Sequence, residues 1–99
     1  MRDGGPPDSA AGRAEGSPFA APVKRSVTIA GHQTAVSLEP LFWSALRDRA
    51  AEEQLPVNAL IARIDATRLA VPAPPNLASA IRCWLFGRAL DDKNKSHSQ

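Results

Sequence analysis

The chain has 99 residues and a formal net charge of +2, with 12 Lys and Arg against 10 Asp and Glu. That length supports one domain at most, and the weak basicity permits a nucleic-acid partner without demanding one. One Cys rules out an internal disulfide, and a single Cys with two scattered His is too little for a structural zinc site.

The N-terminal stretch, residues 1–22, is dominated by Gly, Pro, Ala and Ser. It cannot bury enough apolar surface to offset its ordering entropy and reads as a disordered tail. Phe19 is its single large apolar side chain and is expected in solvent. No apolar run approaches the roughly 20 residues of a membrane span, and no apolar signal region opens the chain. With a lone thiol suited to a reducing compartment, a cytoplasmic protein with no membrane partner is expected.

From Val23 the pattern changes. In Lys24-Arg-Ser-Val-Thr-Ile-Ala30, Val27 and Ile29 share one face, and Ser26 and Thr28 the other. That period of two predicts a strand. A second strand follows in Gln33-Thr-Ala-Val-Ser-Leu38. There Thr34, Val36 and Leu38 point one way, and Gln33, Ala35 and Ser37 the other. The apolar positions are odd in the first stretch and even in the second. One unbroken strand would turn one set to the wrong side, so a turn or bulge is required at Ala30-Gly31-His32. The pattern allows either a hairpin or an extension of one ribbon.

Pro40 suits the first position of a helix, where a missing amide hydrogen costs nothing. Phe42, Leu46 and Ala50 form its stripe, widened by Trp43 and Ala45, and the helix is expected to end near Gln54. Leu55-Pro56 breaks the chain. A second helix presents Val57, Leu60, Ile61 and Ile64 as its apolar face. It stops before Val71-Pro-Ala-Pro-Pro75, a stiff spacer. Asn76 is a good N-cap for a third helix from Leu77 to about Leu90, with Leu77, Ile81, Trp84 and Leu85 as its stripe. The closing residues, 91–99, read as a flexible tail. The folding region is therefore 23–90. A region so short, without disulfide or metal, is expected to gain stability by oligomerisation.

The order strand, helix, short turn, helix resembles the ribbon-helix-helix family of bacterial DNA-binding proteins. The resemblance is closest to an extended subgroup with a strand before the ribbon and a helix after the core. It rests on KRSVTIAGHQTAVSLEPLFWSALRDRAAEEQLPVNALIARID and NLASAIRCWL, which lie within residues 24–85, a span of about two-thirds of the chain. Within these, Val-Ser-Leu-Glu-Pro followed by Phe-Trp-x-x-Leu, then Val-Asn-Ala-Leu-Ile, is the more specific part. The resemblance implies a mainly α fold with a short β-ribbon, built as an intertwined homodimer, here with an extra C-terminal helix. In it a two-stranded ribbon enters the major groove of double-stranded DNA. Carried over, the base-reading residues are Gln33, Ala35 and Ser37. The phosphate clamp falls at Pro56, Val57 and Asn58, where the family commonly has Ser or Thr in place of Pro56. Proline offers no side-chain acceptor and no amide hydrogen, so the clamp rests on the amides of Val57 and Asn58 and on the helix dipole.

The outward strand residues make chemical sense in a groove. Gln pairs with adenine, Ala touches a thymine methyl, and Ser donates or accepts. An ordinary solvent-facing strand side would have the same small polar composition. Lys24 and Arg25, just before the first apolar strand position, are candidate phosphate contacts or a solubilising pair. Arg47, Arg49, Arg82 and Arg88 read as solvated or structural, His32 as a turn residue in solvent, and Cys83 as a small buried hydrophobe. Trp43 and Trp84 read as core or interface aromatics. No enzyme constellation, cofactor motif or metal set is present in the pattern. Two functions follow: a dimeric transcriptional regulator, or a protein-interaction or antitoxin-like module that keeps the dimer core and binds a partner protein.

Overall fold

Ala30 and Gly31 both take positive φ, 51° and 82°, the signature of a two-residue type I′ turn. In the computed structural model, which describes residues 19–97, this turn folds β1 (Val23–Ile29) back onto β2 (His32–Leu38). The strands are antiparallel, with Val23 opposite Leu38, Val27 opposite Thr34 and Ile29 opposite His32. The parity break thus resolves as a hairpin within one chain. Gly31 is the natural occupant of its second turn position, and Ala30 carries the strain at the first.

Opposed residues share a face in an antiparallel pair. Val23, Val27 and Ile29 therefore stand with Thr34, Val36 and Leu38 on the inner face, and Val27, Val36 and Leu38 are buried. The expected division of β2 into inward Thr34, Val36 and Leu38 and outward Gln33, Ala35 and Ser37 is seen.

Three helices cover the inner face: α1 (Pro40–Glu52), α2 (Val57–Leu69) and α3 (Leu77–His97). Pro40 opens α1 as expected. The buried stripe of α1 is Trp43, Leu46 and Ala50, with Phe42 at its edge. Trp43 takes the central place because its ring reaches the hairpin, where Nε1 donates to the Val23 carbonyl at 2.9 Å. That bond ties the start of β1 to α1. The helix ends two residues before Gln54, which adopts φ 58°. The amide of Leu55 bonds the Ala50 carbonyl at 2.9 Å, and that of Gln54 bonds Ala51 at 3.1 Å. This is a Schellman cap, with Gln where glycine is usual.

Leu60, Ile61 and Ile64 of α2 are buried, as are Ile81 and Leu85 of α3. The largest fully buried side chains, Leu38, Leu46, Leu60, Ile61 and Ile81, come from every element except β1. The core thus sits where β2 and all three helices meet. Asn76 caps α3 as expected, its Oδ1 accepting the Ser79 amide at 2.8 Å.

Two expectations change. The third helix continues past Leu90 through His97. Residues 91–97 contain no Gly or Pro to stop it. Asp92 also receives Arg49 of α1 at 2.6 Å, which docks this polar extension on the bundle. Cys83 is exposed on this chain rather than buried. It lies off the Ile81–Leu85 stripe that meets the core. Phe19 is 93% exposed, as expected. Most of the N-terminal tail expected to be disordered, residues 1–18, lies outside the described residues. Among the described residues no helix is long and apolar enough to cross a membrane, and no group of His, Cys, Asp and Glu is placed to hold a metal.

Candidate nucleic-acid interface

The outer face of the hairpin follows from the register. Lys24 stands opposite Ser37, Ser26 opposite Ala35, and Thr28 opposite Gln33. Gln33 and Ala35 are exposed, while Ser37 is half-buried. The face is a polar sheet of small side chains with one cation at its end. None of the three outward β2 residues is itself Lys or Arg. The pairing register brings Lys24 of β1 next to Ser37. It also adds Ser26 and Thr28 to the face. Ser26 Oγ donates to Gln33 Oε1 at 2.9 Å across the strands. Accepting that bond engages Oε1 and leaves the Gln33 NH₂ as a donor not used by this bond.

Arg25 alternates with Lys24 and so lies on the other side of β1, opposite Val36. Its guanidinium stands 5.6 Å from the centroid of the Trp43 ring, a cation–π arrangement. The two neighbours expected to act together are thus separated by the sheet. Arg25 instead meets the start of α2. A cleft of about 260 Å³ is lined by Arg25, Ser26, Val27, Trp43, Arg47, Val57 and Asn58. Three expected phosphate contacts, Arg25, Val57 and Asn58, converge there, and Lys24 does not.

Pro56 precedes α2 with extended ψ of 151° and gives no side-chain cap. The first intrahelical bond runs from the Leu60 amide to the Pro56 carbonyl, 3.1 Å. The amides of Val57, Asn58 and Ala59 therefore lack helical acceptors. No acidic residue lies in the first turn to neutralise the positive end of the dipole.

Arg47 is the residue that sequence reasoning missed. It projects from α1 into this cleft. The signal was its spacing four residues after Trp43, which puts both on one side of α1, but only the fold shows that this side faces the start of α2. The remaining arginines sort differently. Arg49 pairs with Glu52 at 3.1 Å and with Asp92 at 2.6 Å. Arg63 pairs with Glu53, and Arg68 with Asp65 at 2.8 Å. Arg82 reaches Glu39 through both Nε, 3.0 Å, and Nη2, 2.9 Å. Among the described residues no carboxylate pairs with Lys24, Arg25 or Arg47. At the helical end Arg49, Arg63, Arg68 and Arg82 are thus paired and Arg88 is not, while the hairpin end leaves Lys24, Arg25 and Arg47 without carboxylates among the described residues.

The pairs also shift the carboxylates. Hydrogen bonding to a backbone amide, then to Arg82, lowers the Glu39 pKa. Arg63 lowers that of Glu53, and Arg49 that of Asp92. These groups fasten helix to helix and lie away from the outer face.

Residues 22–89 match the family model of a ribbon-helix-helix domain. No curated protein and no solved structure matches the chain.

Proposed function

The chain belongs to the ribbon-helix-helix domain family, and on that premise we propose that it is a dimeric DNA-binding transcriptional regulator. The observation that carries this is the clustering of unpaired cations, Arg25 and Arg47, around the uncapped start of α2, on the molecule's hairpin end. Free backbone amides, a helix dipole and two guanidinium groups together favour a phosphate. The outer face of β2 then supplies readout. Gln33 reads adenine, Ala35 meets a thymine methyl, and Ser37 donates or accepts. Lys24, at the end of that face, meets the backbone.

The homodimer follows from the strand edge. The described sheet has two strands, so β2 has one edge without a neighbour. Pairing that edge with the same edge of a second copy satisfies both rows of backbone groups. It places the two copies of Gln33, Ala35 and Ser37 side by side. Neighbouring strands are about 4.8 Å apart, so a central pair of β2 strands fits within a major groove about 12 Å wide, and the flanking β1 strands come close to its walls. Lys24, on β1, is then near the phosphates.

Fluorescence anisotropy with labelled duplex DNA over a salt series tests the reading, alongside sedimentation of the free protein. A steep fall of affinity with salt and a dimer are expected. Salt-insensitive binding, or a monomer bound to DNA, defeats it. A second reading, a protein-interaction or antitoxin-like module, is favoured by Phe86 and Leu90, which are 64% and 46% exposed on α3. A protein partner covering them would leave the hairpin face free.

A further inference from the structure

Two clefts meet at Trp84 on the helical side of the molecule, away from the hairpin face. One, of about 530 Å³, lies among the end of α1, α2 and α3, and its cations are Arg49, Arg63 and Arg88. The other, of about 300 Å³, lies among α2, the proline spacer and α3, and its apolar wall includes Ile64, Val71, Pro75 and Ala80. Thr67 and Trp84 line both, so the two clefts adjoin at one indole ring. Their sizes fall in the usual range for small-molecule sites, about 300–1,000 Å³.

The charges within the polar cleft are not equivalent. Glu52 and Glu53 line it too, but Arg49 holds Glu52 and Arg63 holds Glu53. Arg49 is held further by Asp92. Arg88 has no carboxylate partner among the described residues. Its guanidinium lies 5.9 Å from the centroid of the Trp84 ring, and its Nε is buried without a hydrogen-bond acceptor. A buried cationic donor left without an acceptor is costly. On the other side of the same ring, Val71 is 45% exposed, and Leu69 nearby is 59% exposed. Arg88 makes no ion pair among the described residues, although its charge acts on Glu53 and Asp92, so the surroundings accommodate at most one further negative charge at Arg88, with an apolar body against the spacer. The two glutamates disfavour a polyanion.

We propose that these adjoining clefts bind a small monocarboxylate with an acyl or aryl body, its carboxylate on Arg88 and its apolar part between Trp84 and the Val71–Pro75 wall. The site is independent of the DNA-binding reading. It couples α1, α2 and α3, so an occupied site would stiffen the bundle that carries the hairpin.

Octanoate, below its aggregation concentration, is the probe. Calorimetric titration and amide spectra are recorded on the full chain, with octanol and inorganic phosphate as the other arms. Octanoate should saturate one site per chain and shift the Trp84 indole and Thr67 signals. Octanol and phosphate should each bind at least about tenfold more weakly, since a charge-assisted hydrogen bond and the apolar contact are each lost in turn. Arg88→Met should reduce octanoate to the level of octanol. Val71→Asp, on the exposed spacer and clear of the helix packing, should weaken octanoate by a similar factor. Octanoate binding no tighter than octanol, unchanged affinity in either variant, or shifts confined to other surfaces would overturn the proposal.

Discussion

Replacing Trp43 by Phe isolates the contact that fastens the hairpin to the bundle. Trp43 is 3% exposed, and its Nε1 donates to the Val23 carbonyl at 2.9 Å. Phenylalanine keeps the aromatic stripe but removes the donor and one ring. Losing the hydrogen bond while leaving the carbonyl part-buried costs about 1–3 kcal/mol. The missing ring leaves a cavity that adds roughly 1 kcal/mol more. A loss of about 2–4 kcal/mol is therefore expected in urea unfolding at fixed protein concentration. Hydrogen exchange adds a local test. The β1 amides, held at that end by this bond, should lose protection before those of α2. Arg25, which stacks on the same ring, would lose its positioning as well, so DNA affinity should fall more than the global loss requires. A change below about 0.5 kcal/mol, the ordinary scatter of surface substitutions, would refute the idea that Trp43 anchors β1.

Further outcomes follow from the same geometry. Gln54→Gly relieves the positive φ at the α1 cap, and a gain of about 0.5–1 kcal/mol in thermal unfolding is expected; a loss would mean that the Gln54 side chain contributes a contact of its own. Glu39, Glu53 and Asp92 have lowered pKa values in the folded chain, so their contribution is complete above the ordinary carboxylate values, 4.5 for Glu and 3.8 for Asp, and is lost as pH falls through the lower folded values. Melting temperature should stay level from pH 7 to about 5 and drop below that, and Arg63→Met should soften the acid limb by releasing Glu53; an identical acid limb would contradict the pairing. Arg47→Ala should weaken DNA binding with little change in base preference and reduce the salt slope by about one, whereas Arg49→Ala, whose side chain is already neutralised, should leave the slope unchanged.

The hairpin shows what a sequence does and does not carry. The parity of Val27, Ile29, Val36 and Leu38 demanded a break at Gly31, since side chains alternate strictly along a strand. Parity says nothing about where the next strand goes, and positive φ at both Ala30 and Gly31 decides that it returns in the same chain. The outward set Gln33, Ala35 and Ser37 was legible from β2 alone. Its neighbours Lys24, Ser26 and Thr28 needed the pairing register, a relation between strands. In α1 the interval of four favoured Phe42, but the hydrogen bond to Val23 makes Trp43 the buried one. Local polarity suggested that α3 stops at Leu90; an ion pair to Arg49, 43 residues earlier, keeps Asp92 on the bundle. Arg25, Arg47 and Asn58 lie on three separate elements, and no spacing rule joins them. The uncapped start of α2, in contrast, was visible directly from Pro56.

Gln33, Ala35 and Ser37 are proposed to face the bases of duplex DNA. Selection of bound sequences from random duplexes at a fixed salt of 0.15 M or about that tests this placement most directly, run in parallel for the natural chain and Gln33→Ala. A short, two-fold symmetric enriched site is expected, losing preference at one base pair in each half when Gln33 is replaced, at a cost of about 1–3 kcal/mol. No enrichment, or an enriched site that Gln33→Ala leaves unchanged, would contradict this placement.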